Sequence, residues 1–187
     1  MIGDVCDGGL RAAAMVGQAR HSLRALTRIH GPAQALRTLN DLVVDDPAAH
    51  RLITAACVRL RLQPTVTATV SCGGHPRPLL RRADGRVEPL GEHGTVLGVL
   101  PTVALTETTT TLSPGDCLLL YTDGVTEARR GREQYGEERL GRLLANSPSS
   151  SSEEIADAIL DDVLGHQPEP SDDIAVLVVS VLAGGPE

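Results

Sequence analysis

The run Cys-Leu-Leu-Leu-Tyr-Thr at residues 117–122 constrains this chain more than any other stretch. It is apolar almost without interruption, the pattern of a strand covered on both faces. A chain that contains such a strand must fold in layers around it. The run stops on Asp123-Gly124, and a second apolar run, Ile174–Leu182, starts directly after Asp172-Asp173. It reads as a buried final strand.

The other elements follow from periodicity and punctuation. Residues 1–6 read as a short strand containing Asp4. Residues 10–28 carry apolar residues at helical spacing (Leu10, Ala13, Ala14, Val16, Leu23, Leu26), and Gly31-Pro32 opens a second helix that ends near Asp45. Strands are expected over 52–62 and 65–72, with Gln63-Pro64 between them. A hairpin is expected over 78–90 with its tip at Ala83-Asp84-Gly85, and alternation continues over 102–112. Helices are expected over roughly 136–145 and 152–165, the latter after serines that precede glutamates as in a capping box. Antiparallel strands with segregated helices make an α+β layered domain.

Composition excludes several functions. There is no Trp or Phe and there are only two tyrosines, Tyr121 and Tyr135, so the core is aliphatic. The formal net charge is −7 and all 17 basic residues are Arg. An acidic chain without aromatic platforms argues against nucleic-acid binding. No apolar stretch reaches the ~18 residues of a membrane span, and the start lacks the basic-then-apolar pattern of a signal peptide. The four cysteines, Cys6, Cys57, Cys72 and Cys117, are scattered and read as reduced thiols of a cytoplasmic protein.

Three acidic positions share one context: Asp4, Asp123 and Asp172 each lie at the end of an expected core strand, with Asp173 beside the last. Carboxylates gathered in one place repel each other, and a hard cation such as Mg²⁺ or Mn²⁺ relieves that. Read singly, each acid also suits a bland role: Asp123-Gly124 and Asp172-Asp173 as turns, and Asp7-Gly8-Gly9 as a loop and helix cap. Gly124 is expected to let the chain turn away. His75, within Gly73-Gly74-His75-Pro76, reads as part of a shaped turn with its imidazole on backbone groups. Arg77, Arg81 and Arg82 read as solvated hairpin charges, with a phosphate-facing patch as the alternative.

Six short motifs in order then resemble one family. "IGDVCDGGLRAAAM", "SCGGHPRPLLRRADG", "GTVLGVLP", "LSPGDCLLLYTDGVTEARRG", "YGEERL" and "SDDIAVLVV" resemble the PPM-type metal-dependent serine/threonine protein phosphatases, in the bacterial branch of the sporulation stage II E phosphatase. The resemblance implies a four-layer α-β-β-α sandwich, two antiparallel sheets flanked by helix pairs, over residues 1–183, with 184–187 as a tail. It implies two Mn²⁺ or Mg²⁺ ions held by Asp4, the backbone carbonyl of Val5, Asp123 and Asp172, with Asp173 supporting the ligands. A water between the ions would attack a phosphoserine or phosphothreonine of a regulatory protein, in this branch of the anti-anti-sigma type. The helices at 10–45 would be the docking or switch surface and the candidate dimer contact. Two departures stand out. Asp7 and Gly8 replace the first glycine and the middle residue of the family's Gly-x-Gly turn, and the family's upstream strand pair with its acidic motif has no counterpart before Met1. The domain is therefore expected to lack its N-terminal strands, and the alternative role is a catalytically weak phosphatase-like domain that binds a regulatory partner.

Overall fold

The computed structural model of the chain describes residues 1–5, 10–45, 52–147 and 151–182. Cys6, Asp7, Gly8 and Gly9, and the expected tail at 184–187, lie outside them. The chain divides into two compact units, one of residues 1–77 and 91–111, the other of residues 78–90 and 112–187.

The first unit is a four-stranded antiparallel sheet with a helix pair. Its strands are β1 (Ile2–Val5), β2 (Ile53–Arg61), β3 (Thr67–Gly73) and β6 (Thr108–Thr111), in the order β1-β2-β3-β6. The helices are α1 (Leu10–Leu26) and α2 (Pro32–Val44). Of the expected apolar positions on α1, Leu23 is buried and Leu26 partly buried, whereas Ala14 and Val16 are exposed, which corrects the expected stripe. Leu23 joins Leu36, Leu39 and Val43 of α2 in a core with Val5, Ile53, Ala55 and Cys57. Proline sits in the first turn of α2, where its missing N–H costs nothing. The cap residue Gly31 has no side chain to offer, and the Glu107 carboxylate accepts from the Ala33 amide at 2.9 Å instead.

The alternating stretch 102–112 is a strand only over Thr108–Thr111, which corrects the longer expectation. Val103 and Leu105 nevertheless enter the core, from irregular chain. Arg37 of α2 donates to the Leu105 carbonyl, so that carbonyl is satisfied without a ladder. Asn40, fully buried on α2, donates to the Leu100 carbonyl at 3.0 Å and accepts from the Gly98 amide at 2.9 Å. A helix side chain thus replaces strand pairing for the loop that follows Leu97.

The second unit repeats the theme. Its sheet runs β10-β7-β4-β5, with β4 (Leu79–Arg81), β5 (Val87–Pro89), β7 (Cys117–Tyr121) and β10 (Val176–Ser180), all antiparallel. All five residues of β7 are buried, as its unbroken apolar run demands. Helices α4 (Gly136–Asn146) and α5 (Ser152–His166) pack on it through Leu140, Leu144, Ile155, Ile159 and Val163. The Ser151 hydroxyl accepts from the Glu154 amide at 3.4 Å, the expected N-cap of α5. The final strand is the correction here. β10 is the sheet's edge, half-buried along its length, with Leu177 43% exposed, because only β7 pairs with it.

Two elements escaped the periodicity: the one-turn helix α3 (Asp123–Thr126) and a two-strand hairpin of β8 (Arg129–Arg130) and β9 (Glu133–Gln134). Both are too short to show a period. Two helix-covered antiparallel sheets are the components of the expected sandwich, and the fold is mixed α+β.

Candidate metal centre

Asp4 lies on β1, the edge strand of the first unit, opposite Thr54. Its neighbour Gly3 is required by contact: a Cβ there would stand 2.5 Å from the Thr54 carbonyl oxygen. The Val5 side chain is committed to the core. Asp4 is half-buried beside a pocket of about 230 Å³ whose lining is otherwise mostly apolar, including Ile2, Val16, Leu23 and Leu39.

Thr54 also meets His75, with Oγ1 2.9 Å from Nδ1. His75 is buried, and its ring serves a side-chain hydroxyl. The turn around it is shaped by close approach. Gly74 has φ +64°, and a Cβ on it would meet Val96 Cα at 2.8 Å. A Cβ on Gly94 would meet the Cys72 carbonyl oxygen at 2.2 Å. The Gly-Gly-His-Pro and Gly-Thr-Val-Leu-Gly stretches therefore pack backbone to backbone.

In the second unit the acids are brought together by a threonine. Asp123 begins α3, its Oδ1 accepting from the Gly124 amide at 3.0 Å. Before it, Thr122 is 4% exposed and makes three bonds to the chain around Asp173. Its Oγ1 donates to the Asp173 carbonyl at 2.9 Å and accepts from the Ala175 amide at 2.9 Å. Its own amide donates to the Ala175 carbonyl at 3.1 Å. Gly124 then lies against the same segment, where a Cβ would stand 2.5 Å from the Asp173 carbonyl oxygen. Its glycine character serves that approach, not a turn: its φ is not positive, and the chain enters a helix there. Asp172 and Asp173 are exposed, and Asp172 Oδ1 accepts from the Asp173 amide at 2.8 Å. A shallow groove lined by Leu160, Leu164, Pro170 and Ile174 leads to both.

The segments bearing Asp123 and Asp172 are thus side by side, while Asp4 belongs to the other unit. Among the described residues no group of three or more His, Cys, Asp or Glu donors forms a ready-made metal cage. None of Asp4, Asp123, Asp172 and Asp173 takes part in an ion pair there, although the chain holds many arginines. Carboxylate oxygens that are half-buried or exposed and have no cationic partner suit a hard divalent cation, which prefers oxygen ligands.

Arg81 and Arg82 are tied to the protein itself, which corrects the expectation of solvated charges for these two, while Arg77 is half-buried. Arg81 is buried and donates to the Ser147 carbonyl at 3.1 Å and the Leu144 carbonyl at 3.4 Å, at the end of α4. Arg82 pairs with Asp116 and Glu88, both at 3.1 Å. Thiol chemistry is disfavoured as well: burial raises Cys57, Cys72 and Cys117, Cys72 to about 11, so none supplies a ready thiolate. The Thr122 tie between the two acid-bearing segments is what sequence reasoning missed; a hydroxyl next to Asp-Gly was its only signal.

Comparison with known proteins agrees with this fold. The family model for stage II sporulation protein E (SpoIIE) matches residues 1–182. The phosphoserine phosphatase RsbU of Bacillus subtilis is 28% identical over 95% of this chain and 54% of its own length. The chain spans about half or less of the length of the curated relatives it matches. The RsbU and RsbW domains of Rv1364c from Mycobacterium tuberculosis superpose with a TM-score of 0.76 at 25% identity, covering 98% of this chain and 51% of that one. The PP2C phosphatase domain of SpoIIE from B. subtilis, solved with a fragment of its regulatory domain, gives 0.80 at 18% identity over 98% of this chain and 54% of that one. A manganese-presoaked crystal of the SpoIIE phosphatase domain gives 0.63 at 18% identity over 97% of this chain and 76% of that one. With the family match running from β1 through β10, the chain belongs to the stage II sporulation protein E (SpoIIE) family.

Proposed function

We propose that this domain hydrolyses phosphoserine or phosphothreonine in a regulatory protein, with Asp4, the Val5 carbonyl, Asp123 and Asp172 holding two divalent cations, Mn²⁺ or Mg²⁺. The observation that carries the reading is the Thr122–Gly124 tie, which joins the Asp123 and Asp172 segments. When bound, such ions supply an activated water and neutralise the charge that grows on the phosphoryl group.

The chain's own residues do the rest. Asp123 and Asp172 present carboxylates from adjacent backbone segments, one on a helix start and one on a loop that enters β10. Thr122 holds the two segments in place, so the acids do not drift apart under their mutual repulsion. Asp173 contributes its carbonyl to that tie and leaves its carboxylate exposed, free to support the site. The inert thiols leave no protein nucleophile among the buried cysteines, in keeping with direct attack by water.

The substrate follows from kinship. RsbU is a phosphoserine phosphatase, and the resemblance of the chain to its branch implies a small anti-anti-sigma-type protein as the substrate. No described helix is long and apolar enough to cross a membrane, in keeping with a protein substrate met in the cytoplasm. The test is hydrolysis of a phosphoserine peptide with Mn²⁺ and with chelator, alongside Asp123→Asn. We expect Mn²⁺-dependent turnover that falls at least about 100-fold in the variant. Turnover insensitive to chelator would overturn the metal assignment. No turnover at all would leave a phosphatase-like domain that binds a regulatory partner.

A further inference from the structure

We propose that Gln167 is a positioning residue, tying the segment that leaves Asp123 to the segment that enters Asp172. The inference rests on the metal reading above for its catalytic consequence, and on the hydrogen bonds below for the tie itself.

Gln167 closes α5, and its backbone amide completes the helix by donating to the Val163 carbonyl at 2.8 Å. Termination needs nothing more, so the side-chain amide is surplus to it. Yet both ends of that amide are engaged. Oε1 accepts from the Arg129 amide at 2.7 Å. Nε2 donates to the Glu169 carbonyl at 2.9 Å and to Ser171 Oγ at 3.3 Å. Arg129 follows Asp123 by six positions, and Gln167 precedes Asp172 by five. One carboxamide therefore grips both acid-bearing segments, through bonds separate from those of Thr122. A carboxamide carries the acceptor and the donor that this needs on one planar head.

The grip belongs to a larger clasp. Arg130 donates to the Gly165 and His166 carbonyls, a cation on the C-terminal end of α5. The buried His166 ring has Nδ1 3.1 Å from Arg139 Nη1. A guanidinium can only donate, so Nδ1 accepts and Nε2 carries the proton toward the Glu133 carbonyl, 3.3 Å away. Gln167, Arg130 and His166 join the β8–β9 hairpin to the end of α5, and Arg139 adds a contact from α4. The hairpin is held at both strands, and Gln167 is the member that also reaches the Asp172 loop.

The test uses the full chain with Gln167→Met, which keeps the volume and removes both polar ends, and Gln167→Glu, which keeps the acceptor and loses the donor. Amide hydrogen exchange is followed by mass spectrometry, and Mn²⁺ binding by the electron paramagnetic resonance of the free ion. For Gln167→Met we expect faster exchange in 127–131 and 168–174 together, and Mn²⁺ binding weakened about ten-fold. We expect kcat on a phosphoserine peptide to fall by a similar factor while KM stays within about two-fold. Gln167→Glu should keep 127–131 protected while 168–174 loosens. Unchanged exchange in either segment of Gln167→Met overturns the tie, whatever the metal does. Unchanged Mn²⁺ affinity and kcat with altered exchange overturns the positioning role. A parent chain that binds no Mn²⁺ overturns the metal reading instead, and exchange then decides the tie alone.

Discussion

Gly3-Asp4 in the first unit and Asp123-Gly124 in the second are mirror-image dipeptides with the same contact. In each, a Cβ on the glycine would stand 2.5 Å from a carbonyl oxygen, of Thr54 in one and Asp173 in the other. The surroundings differ. Gly3 sits on an edge strand held by a backbone ladder to β2. Gly124 follows a central strand with every residue buried, and its neighbour Thr122 bolts the facing segment in place. A glycine beside an acid here marks where two backbones touch. How much the contact matters depends on whether either backbone can retreat.

That comparison predicts its largest effect at Gly124→Ala. Neither side can yield, so thermal unfolding should show a loss of about 3 kcal/mol, and phosphopeptide turnover should drop about 100-fold or more. Restored activity in that variant would mean that the Asp173 segment moves freely. Thr122→Val comes next: it leaves the Ala175 amide and the Asp173 carbonyl without their partner, at a cost of about 2 kcal/mol. Gly3→Ala should cost only about 1 kcal/mol, because an edge strand can shift away from its single neighbour. If denaturation finds Gly3→Ala as damaging as Gly124→Ala, the contrast between edge and centre is wrong.

The helix pairs sharpen the same contrast. In the first unit, α2 is tied down by Glu107, Arg37 and Asn40 through backbone groups. In the second, α4 and α5 meet through side chains. Arg139 binds Asp162 in a fork of 2.8 and 2.9 Å, and the Tyr135 hydroxyl donates to Asp162 at 2.7 Å. The Arg139 bond holds Asp162 below its ordinary value, against a smaller opposing effect of burial. A depressed carboxyl contributes stability above its unfolded pKa and loses it as pH falls through the folded value. Burial, then Asp162, raises Tyr135 above the usual phenol range, so its contribution is present below about pH 10 and is lost as pH rises further. The second unit should therefore loosen at both extremes, and Asp162→Asn should remove the acid-side loss at a cost of about 1 kcal/mol near neutrality. Acid titration followed by α4–α5 amide signals checks it; identical acid profiles for parent and variant would count against the fork. The smallest effect has the opposite sign. Gly17 in α1 has open space around its missing Cβ, and Gly17→Ala should stabilise by about 0.5–1 kcal/mol in a melting curve.

Legibility followed the length scale of each signal. Helices α1, α2, α4 and α5 were readable because each repeats its period over several turns. The Asp123 and Asp172 ends were readable because apolar runs stop abruptly there. β10 was misjudged as buried, since an apolar edge strand and an apolar central strand are spelled alike. Arg81 and Arg82 were misjudged because only the fold reveals that they meet the end of α4 and the Asp116 carboxylate.

The sequence by itself determined the order of the longer elements, the aliphatic core and the acid that closes the β7 run, because periodicity and chain punctuation act over a few residues. Only the tertiary structure decided which segments touch: Thr122 with Asp173 and Ala175, Gly124 with Asp173, Gln167 with Arg129 and Ser171. These partners are dozens of positions apart in most cases, and a hydroxyl or amide finds its partner only after the sheets have formed. Local spacing carries no record of such bonds, since their geometry is set by packing.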